Sequence, residues 1–137
     1  MLDDKKNKIK KSMEGTLASS IGLELTNVSN LCVSGKIPVD NRTKQPFGLL
    51  HGGASVALAE TLGSIAGNLH VDCNTEMVVG IEINANHIKS VDSGWVHGKA
   101  EPIKIGKRIH IWEIKICNDK NELICISRLT LAVIQRK

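Results

Sequence analysis

The sequence has very few aromatic residues, with two Trp, one Phe and no Tyr among its 137 residues. Unpaired nucleic-acid bases stack on aromatic platforms, so this scarcity argues against nucleic-acid binding. No apolar run approaches the roughly 20 residues that a membrane-spanning helix requires. The N-terminal MLDDKKNKIKK also lacks the apolar core of a signal peptide. We therefore expect a cytoplasmic protein that binds neither nucleic acid nor a membrane.

Clustered metal ligands are missing as well. None of the four cysteines has CxxC spacing, and the five histidines are scattered along the chain. Zinc sites need closely spaced ligands, so we expect no metal and reduced, structural thiols. The net charge is +4, partly from the lysine-rich start of the chain. Residues 1–14 are expected to form a basic helix or tail that ends near Gly15.

The length fits a single domain over residues 1–137. Two alternating segments predict strands, and a segment from Gly53 to about Val71 predicts a helix that is apolar nearly all round. Four β-type runs follow, namely EMVVGIEINANH, GWVHGKAEPI, KRIHIWEIKIC and ELICISRLTLAVI. Strands grouped around one buried helix predict an α+β fold with a mainly antiparallel sheet that wraps the helix.

The start of the long helix is unusual, since TKQPFGLLHGGASVALAETLGS places two glycines there and one carboxylate within it. Free N–H groups at a helix N-terminus stabilise negative charge. Gly52 and Gly53 would let a substrate oxygen reach them, which outlines an oxyanion hole. The alternative is a tight turn at the glycines, with Glu60 directed at solvent.

Helical spacing favours a cleft position for Glu60. Ser64 follows it one turn later on the same face, and no Lys or Arg accompanies it on the helix. Gly63 and Gly67 lie beside this row and are expected to let a ligand or a second backbone approach. Eight residues separate Gly52 from Glu60, about 12 Å along a helix. Both can act on one carbonyl only if they come from different subunits, which predicts a symmetric dimer with two shared sites.

The segments PVDNRTKQPFGLLHGGASVALAETLGSIAG and VVGIEINANHIKS closely resemble the hotdog-fold acyl-CoA thioesterases of the phenylacetate-pathway type. The resemblance covers about residues 15–135. It is strongest to members that act on aromatic acyl-CoAs such as 1,4-dihydroxy-2-naphthoyl-CoA, in menaquinone biosynthesis. It implies a hotdog fold, hydrolysis to free acid and CoA, and dimers that pair into tetramers. CoA would be part of the substrate, and no separate cofactor is expected.

Carried over by position, the resemblance assigns a role to each residue of the motif. Glu60 would be nucleophile or general base, and Gly52 would offer its N–H to the thioester oxygen with help from Gln45. His51 would support the thioester or the loop, and Ser64 would orient Glu60 or the attacking water.

The same resemblance implies that three segments line the CoA arm. They contain Gly80; His87, Ile88, Lys89 and Ser90; and Lys104, Gly106, Lys107, Arg108 and Ile109. Lys89, Lys104, Lys107 and Arg108 would suit its phosphates, because cationic side chains form charge-assisted hydrogen bonds with them.

Two other functions stay open from the residues. A hotdog hydratase or dehydratase would use a His with a carboxylate for proton transfer, for which His51 and Glu60 are candidates. A non-catalytic acyl-CoA-binding protein would tolerate loss of Glu60.

Overall fold

The computed structural model of the protein describes residues 2–137, with side chains from residue 3 onward. In chain order, its helices and strands are α1 Leu2–Ser12, α2 Leu17–Ser20, β1 Glu24–Val28, β2 Val33–Pro38, α3 Gly52–Asn68, β3 Glu76–His87, β4 Trp95–Ile105, β5 Ile109–Asn118 and β6 Leu123–Gln135. Within residues 2–137, no helix is both long and apolar enough to cross a membrane.

One antiparallel sheet contains all six strands in the order β1-β2-β4-β5-β6-β3. Helix α3 packs against β2 to β6. The expected α+β hotdog architecture, a sheet wrapped around a long central helix, is therefore confirmed. Strand β3 lies at an edge of the sheet, so one side of its 12-residue backbone has no strand beside it within the chain.

Two glycines of α3 allow the sheet to close on the helix. A Cβ on Gly63 would lie 2.5 Å from Leu129 Cδ2, and one on Gly67 would lie 2.6 Å from Leu131 Cδ1. Both glycines are buried. Of the two expected neighbours, a ligand or a second backbone element, the structure places strand β6 here, and its side chains leave no room for a ligand.

A β-bulge in β3 determines which of its residues face α3. The register with β6 shifts between Gly80 and Glu82, so Ile81 is the extra residue. Side chains alternate faces along a strand, and one inserted residue reverses the alternation beyond it. Gly80 and His87 are seven positions apart and would otherwise face opposite sides. With the bulge, both face the helix, and each contacts a residue of α3.

The lysine-rich N-terminus forms helix α1, which is the first of the two forms, a helix or a tail, that the sequence predicts. Asp3 and Asp4 lie in its first turn and Lys10 and Lys11 in its last. This distribution complements the helix dipole and favours helix over a free tail. Gly15, with a φ of 73°, ends this region as expected. The short helix α2 that follows was not predicted.

Candidate active site

The loop before α3 is held in place by hydrogen bonds to β2 and to the loop between β3 and β4. Thr43 Oγ1 donates to the carbonyl of Pro38 at 2.6 Å, and the Leu50 N–H donates to the carbonyl of Val91 at 2.8 Å. Thr43 is buried, so its hydrogen bond is shielded from water. The His-Gly-Gly segment therefore enters α3 from a fixed position.

His51 caps the helix and leaves one backbone donor free. The Gly53 N–H donates to His51 Nδ1 at 2.7 Å, and the Ala54 N–H donates to the His51 carbonyl at 3.0 Å. Because Nδ1 accepts, the proton of a neutral His51 lies on Nε2. Among residues 2–137, nothing accepts a hydrogen bond from the Gly52 N–H. The first helical amide is thus available to a ligand, as the sequence predicts.

A local hydrogen bond orients the Gln45 side chain. Its Oε1 accepts the N–H of Phe47, so the amide nitrogen is the remaining polar group. Gln45 and Gly52 line the same cavity of about 430 Å³. Both predicted donors for a carbonyl oxygen therefore open onto one space.

The end of β3 and the residues after it form the opposite wall of this cavity. His87, Ile88, Lys89 and Ser90 all line it, as does the buried Ser55 of α3. A Cβ on Gly52 would lie 2.8 Å from His87 Nε2, so only glycine leaves the imidazole its present place. We refer to this cavity as the amide cavity. Ser55 carries no motif of its own, and the sequence analysis missed it.

Glu60 faces a different cleft. That cleft has a volume of about 360 Å³, and it is lined by Glu60, Thr61, Ser64 and Ile65 of α3 together with residues of α1 and α2. We call it the carboxylate cleft. Among residues 2–137, the Glu60 carboxylate has no hydrogen-bond or ion-pair partner. Ser64 shares the cleft, in agreement with its expected position one turn away.

Gly80 lies directly beneath the carboxylate. A Cβ at this position would be 2.5 Å from Glu60 Oε2. Within one chain Gly80 adjoins Glu60 and does not line the amide cavity, and its place on the CoA arm stays a prediction. Its lack of a side chain makes room for the carboxylate.

Two halves of a site are therefore separate within one chain. The amide cavity contains Gly52 and Gln45, and the carboxylate cleft contains Glu60 and Ser64. No described cavity contains members of both pairs. His51 lines neither, and its ring faces a third pocket beside Arg42 and Thr43.

The predicted CoA segments are also separated. His87 of β3 pairs with Cys125 of β6, which pairs in turn with Ile116 of β5. At the β4–β5 turn, by contrast, Ile105 pairs with His110 of β5. The six-residue offset along β5 corresponds to about 20 Å. The segment from Lys104 to Ile109, at the β4–β5 turn, therefore lies at the opposite end of the sheet from His87.

One predicted phosphate ligand already has an anionic partner. Lys89 Nζ forms an ion pair with Glu122. The hydrogen bond from Lys89 and a second one from Asn118 hold the pKa of Glu122 below its usual value. Both side chains are exposed, so a phosphate can displace Glu122 at low cost.

Comparison with known proteins shows the family. The model of the thioesterase superfamily matches residues 47–125, which include Glu60 and all the amide cavity residues except Gln45. The chain belongs to the thioesterase superfamily. It is a thioester hydrolase, and the resemblance stated from the sequence is confirmed.

Characterised relatives match nearly the whole chain. The 1,4-dihydroxy-2-naphthoyl-CoA hydrolase of Escherichia coli is 46% identical over 88% of this chain and 88% of its own. The proofreading thioesterase EntH of Cronobacter turicensis is 47% identical over 87% of this chain and 86% of its own. The crystal structure of a Haemophilus influenzae thioesterase superposes with a TM-score of 0.91 at 45% identity, over 95% of this chain and 90% of that chain.

Proposed function

We propose that this thioesterase hydrolyses acyl-CoA to the free acid and CoA, at a site shared between two subunits. The observation that carries the proposal is the pair of unpartnered groups on α3. The Gly52 N–H is free at the helix start, the Glu60 carboxylate is free eight residues later, and they face different cavities. The names of relatives from E. coli and Cronobacter support the acyl-CoA thioester class.

The two groups have complementary chemistry. The Gly52 N–H and the Gln45 amide would donate to the thioester oxygen, which becomes an oxyanion when the carbonyl carbon is attacked. Glu60 would either take a proton from the attacking water or attack the carbon itself. In the first case a C–O bond forms, the C–S bond breaks, and the proton passes to the CoA sulfur. In the second, Glu60 forms an anhydride with the acyl group as the C–S bond breaks and CoA leaves as the thiolate. Water then hydrolyses the anhydride to the free acid, which regenerates Glu60, and a proton released from the water passes to the thiolate.

The free edge of β3 provides a way to join the halves. If β3 pairs with the same strand of a second copy, a two-fold axis relates the strands antiparallel. Glu60 lies over Gly80 and Gly52 lies against His87. The two halves therefore meet when Gly80 of one copy is opposite His87 of the other. Because Ile81 is the extra residue of the bulge, this register places the axis at Asn84, so that Asn84 of one copy lies opposite Asn84 of the other.

The same pairing would unite the CoA segments. Gly80 pairs with Leu131 of β6, which pairs with His110 at the start of β5. The β4–β5 turn is therefore level with Gly80 across the sheet. Pairing about an axis at Asn84 would bring the partner's His87 and Lys89 to that end. Lys104, Lys107 and Arg108 would then flank the same CoA arm and would suit its phosphates. Pairing of such dimers into tetramers is a further part of the proposal.

The proposed acyl group is aromatic. Support comes from the similarity to the E. coli 1,4-dihydroxy-2-naphthoyl-CoA hydrolase. The carboxylate cleft, at about 360 Å³, is within the range of volumes of small-molecule sites and is large enough for a bicyclic ring.

Release of free thiol from a panel of aryl and fatty acyl-CoAs tests the function. We expect wild-type turnover with the aryl substrates and a loss of at least about 100-fold in kcat for Glu60→Ala and Glu60→Gln. Gln keeps the size of the side chain and removes only its charge, so it separates chemistry from packing. Full activity of Glu60→Gln would exclude the role of Glu60. CoA binding by the wild type without any thiol release would favour a non-catalytic acyl-CoA-binding protein.

A further inference from the structure

The carboxylate cleft has an outer wall made by the N-terminal segment. Ile9 and Ser12 of α1, Met13 in the turn and Leu17 of α2 line it opposite Glu60 and Ile65 of α3. Ile9 and Met13 are four residues apart, on one face of the helix and the turn that continues it. Any group placed against Glu60 in this cleft must contact this wall.

The wall is apolar, although the helix that carries it is rich in lysine. Ile9 and Met13 are half-buried against the core, and Leu17 is 64% exposed. Ligand sites are typically lined by apolar side chains with a few polar groups that fix orientation. Ser12 and Thr16 on the wall donate their hydroxyls to backbone carbonyls, and the other polar groups, Glu60, Thr61, Ser64 and Asn68, lie on α3. The composition therefore suits an apolar group attached to a reactive carbonyl.

The cleft continues along α3 beyond Ile9. A second cavity of about 600 Å³ shares Ile9, Ser12, Ile65 and Asn68 with it and extends to Leu69 and Val71. From Glu60 to Leu69 the helix rises by about 13 Å. Ile9 and Ile65 thus lie where the first space joins the second.

We propose that α1 and α2 form the outer wall of the acyl pocket, and that Ile9 controls how far an acyl chain extends along α3. The proposal rests on the proposed function, since it takes the acyl group of acyl-CoA as the occupant. An aryl group occupies the first space next to Glu60. A long acyl chain passes between Ile9 and Ile65 into the second space.

Tryptophan substitutions test the two spaces separately. Ile9→Trp narrows the passage, so we expect kcat/KM for dodecanoyl-CoA to fall at least about tenfold while kcat/KM for benzoyl-CoA stays within about twofold. Met13→Trp fills the first space and should lower kcat/KM for both substrates. Asn7→Trp, on the exposed face of α1, is the matched control and should change neither.

Binding of a non-hydrolysable dodecyl-CoA thioether separates this inference from the proposed function. We expect Ile9→Trp to weaken that binding about tenfold relative to both wild type and Asn7→Trp. Ile9→Ala, which adds no bulk, should retain dodecanoyl-CoA activity and provides the measurement if Ile9→Trp does not fold. An unchanged benzoyl-to-dodecanoyl ratio in folded Ile9→Trp, together with unchanged thioether affinity, would overturn the role of the wall. Absence of hydrolysis by the wild type, with tight thioether binding that depends on Ile9, would instead overturn only the proposed reaction.

Discussion

The contact between Gly80 and Glu60 predicts a variant that loses activity without losing stability. A Cβ in Gly80→Ala would lie 2.5 Å from Glu60 Oε2, whereas ordinary contact begins near 3.4 Å. The carboxylate must therefore move by about 1 Å, a misplacement that can cost about 100-fold in rate. We expect kcat to fall about 100-fold, equivalent to about 2.7 kcal/mol of transition-state stabilisation.

Stability should respond differently, because the displaced atom is the end of a flexible side chain. Gly80 is not among the glycines with a positive φ in the described residues, so alanine can adopt its backbone conformation. Alanine in a strand also loses less conformational entropy on folding than glycine does. The Tm of Gly80→Ala, from circular dichroism, should equal or slightly exceed that of the wild type. Thiol release under saturating acyl-CoA gives kcat on the same samples.

Gly67→Ala is the matched control for this prediction. Its Cβ would lie 2.6 Å from Leu131 Cδ1 and 3.1 Å from Val78 Cγ2, both buried. Overpacking costs about 1–3 kcal/mol, partly offset by about 1 kcal/mol of helix propensity. The control should lower or keep the Tm while kcat stays within about twofold. A kcat of Gly80→Ala within threefold of wild type would refute the claim that the reaction uses Glu60 where it lies over Gly80.

Two further predictions concern the strand edge and a buried histidine. In a Cys73→Ser background, Asn84→Cys should form an intersubunit disulfide on oxidation and Val79→Cys should not, since pairing about Asn84 leaves the two copies of residue 79 about 26 Å apart along the strands. Non-reducing electrophoresis detects the cross-link, and equal cross-linking at both positions would exclude the register. Burial and, to a lesser extent, the nearby His70 lower the pKa of His110 from its usual 6.5, and they outweigh a hydrogen bond with the Gly106 backbone that raises it. The unfolded state then binds the proton more readily, so the Tm should fall as pH drops below about 6.5 and His110→Gln should flatten that fall; an identical slope in the variant would contradict it.

Strong periodicity explains why the sequence predicts the core elements well. The run EMVVGIEINANH coincides with β3, and the helix predicted from Gly53 begins one residue earlier in the structure. In α3, Leu58 and Leu62 are fully buried, so the apolar pattern around the helix records a real core. A helix that is buried on most faces is apolar on most faces, and this pattern can be recognised in the sequence without any tertiary information.

Features set by tertiary contact could not be predicted from local patterns. Helix α2 has four residues, too few to show a period. The sequence leaves open whether a ligand or a second backbone approaches Gly63 and Gly67, because it does not show which face of α3 meets β6. The bulge at Ile81 has only the isolated Gly80 as its signal. Without it, the contacts of Gly80 with Glu60 and of His87 with Gly52 could not be foreseen.

The wall formed by α1 and α2 was missed for the same reason. Ile9 lies in a lysine-rich segment that resembles a solvated tail, and only its packing against α3 places it near Glu60. By contrast, a motif with fixed spacing contains Gln45, Gly52 and Glu60, and that spacing determines how far apart the residues lie in the structure. The distance between Gly52 and Glu60 along α3 follows from the sequence, because the helical rise per residue is constant.

The central claim is that Gly52 and Glu60 of different subunits form one site, and subunit mixing tests it most directly. Proline is tolerated at the first position of a helix, so Gly52→Pro removes the free N–H, while Gly52→Ala adds a Cβ near His87 and keeps that N–H. Gly52→Pro and Glu60→Ala should each be inactive, and Gly52→Ala should retain more activity than Gly52→Pro. After subunit exchange of the two inactive variants, half of the dimers are mixed and each has one intact site, so about a quarter of wild-type activity should return. No recovery after verified exchange would contradict the shared site.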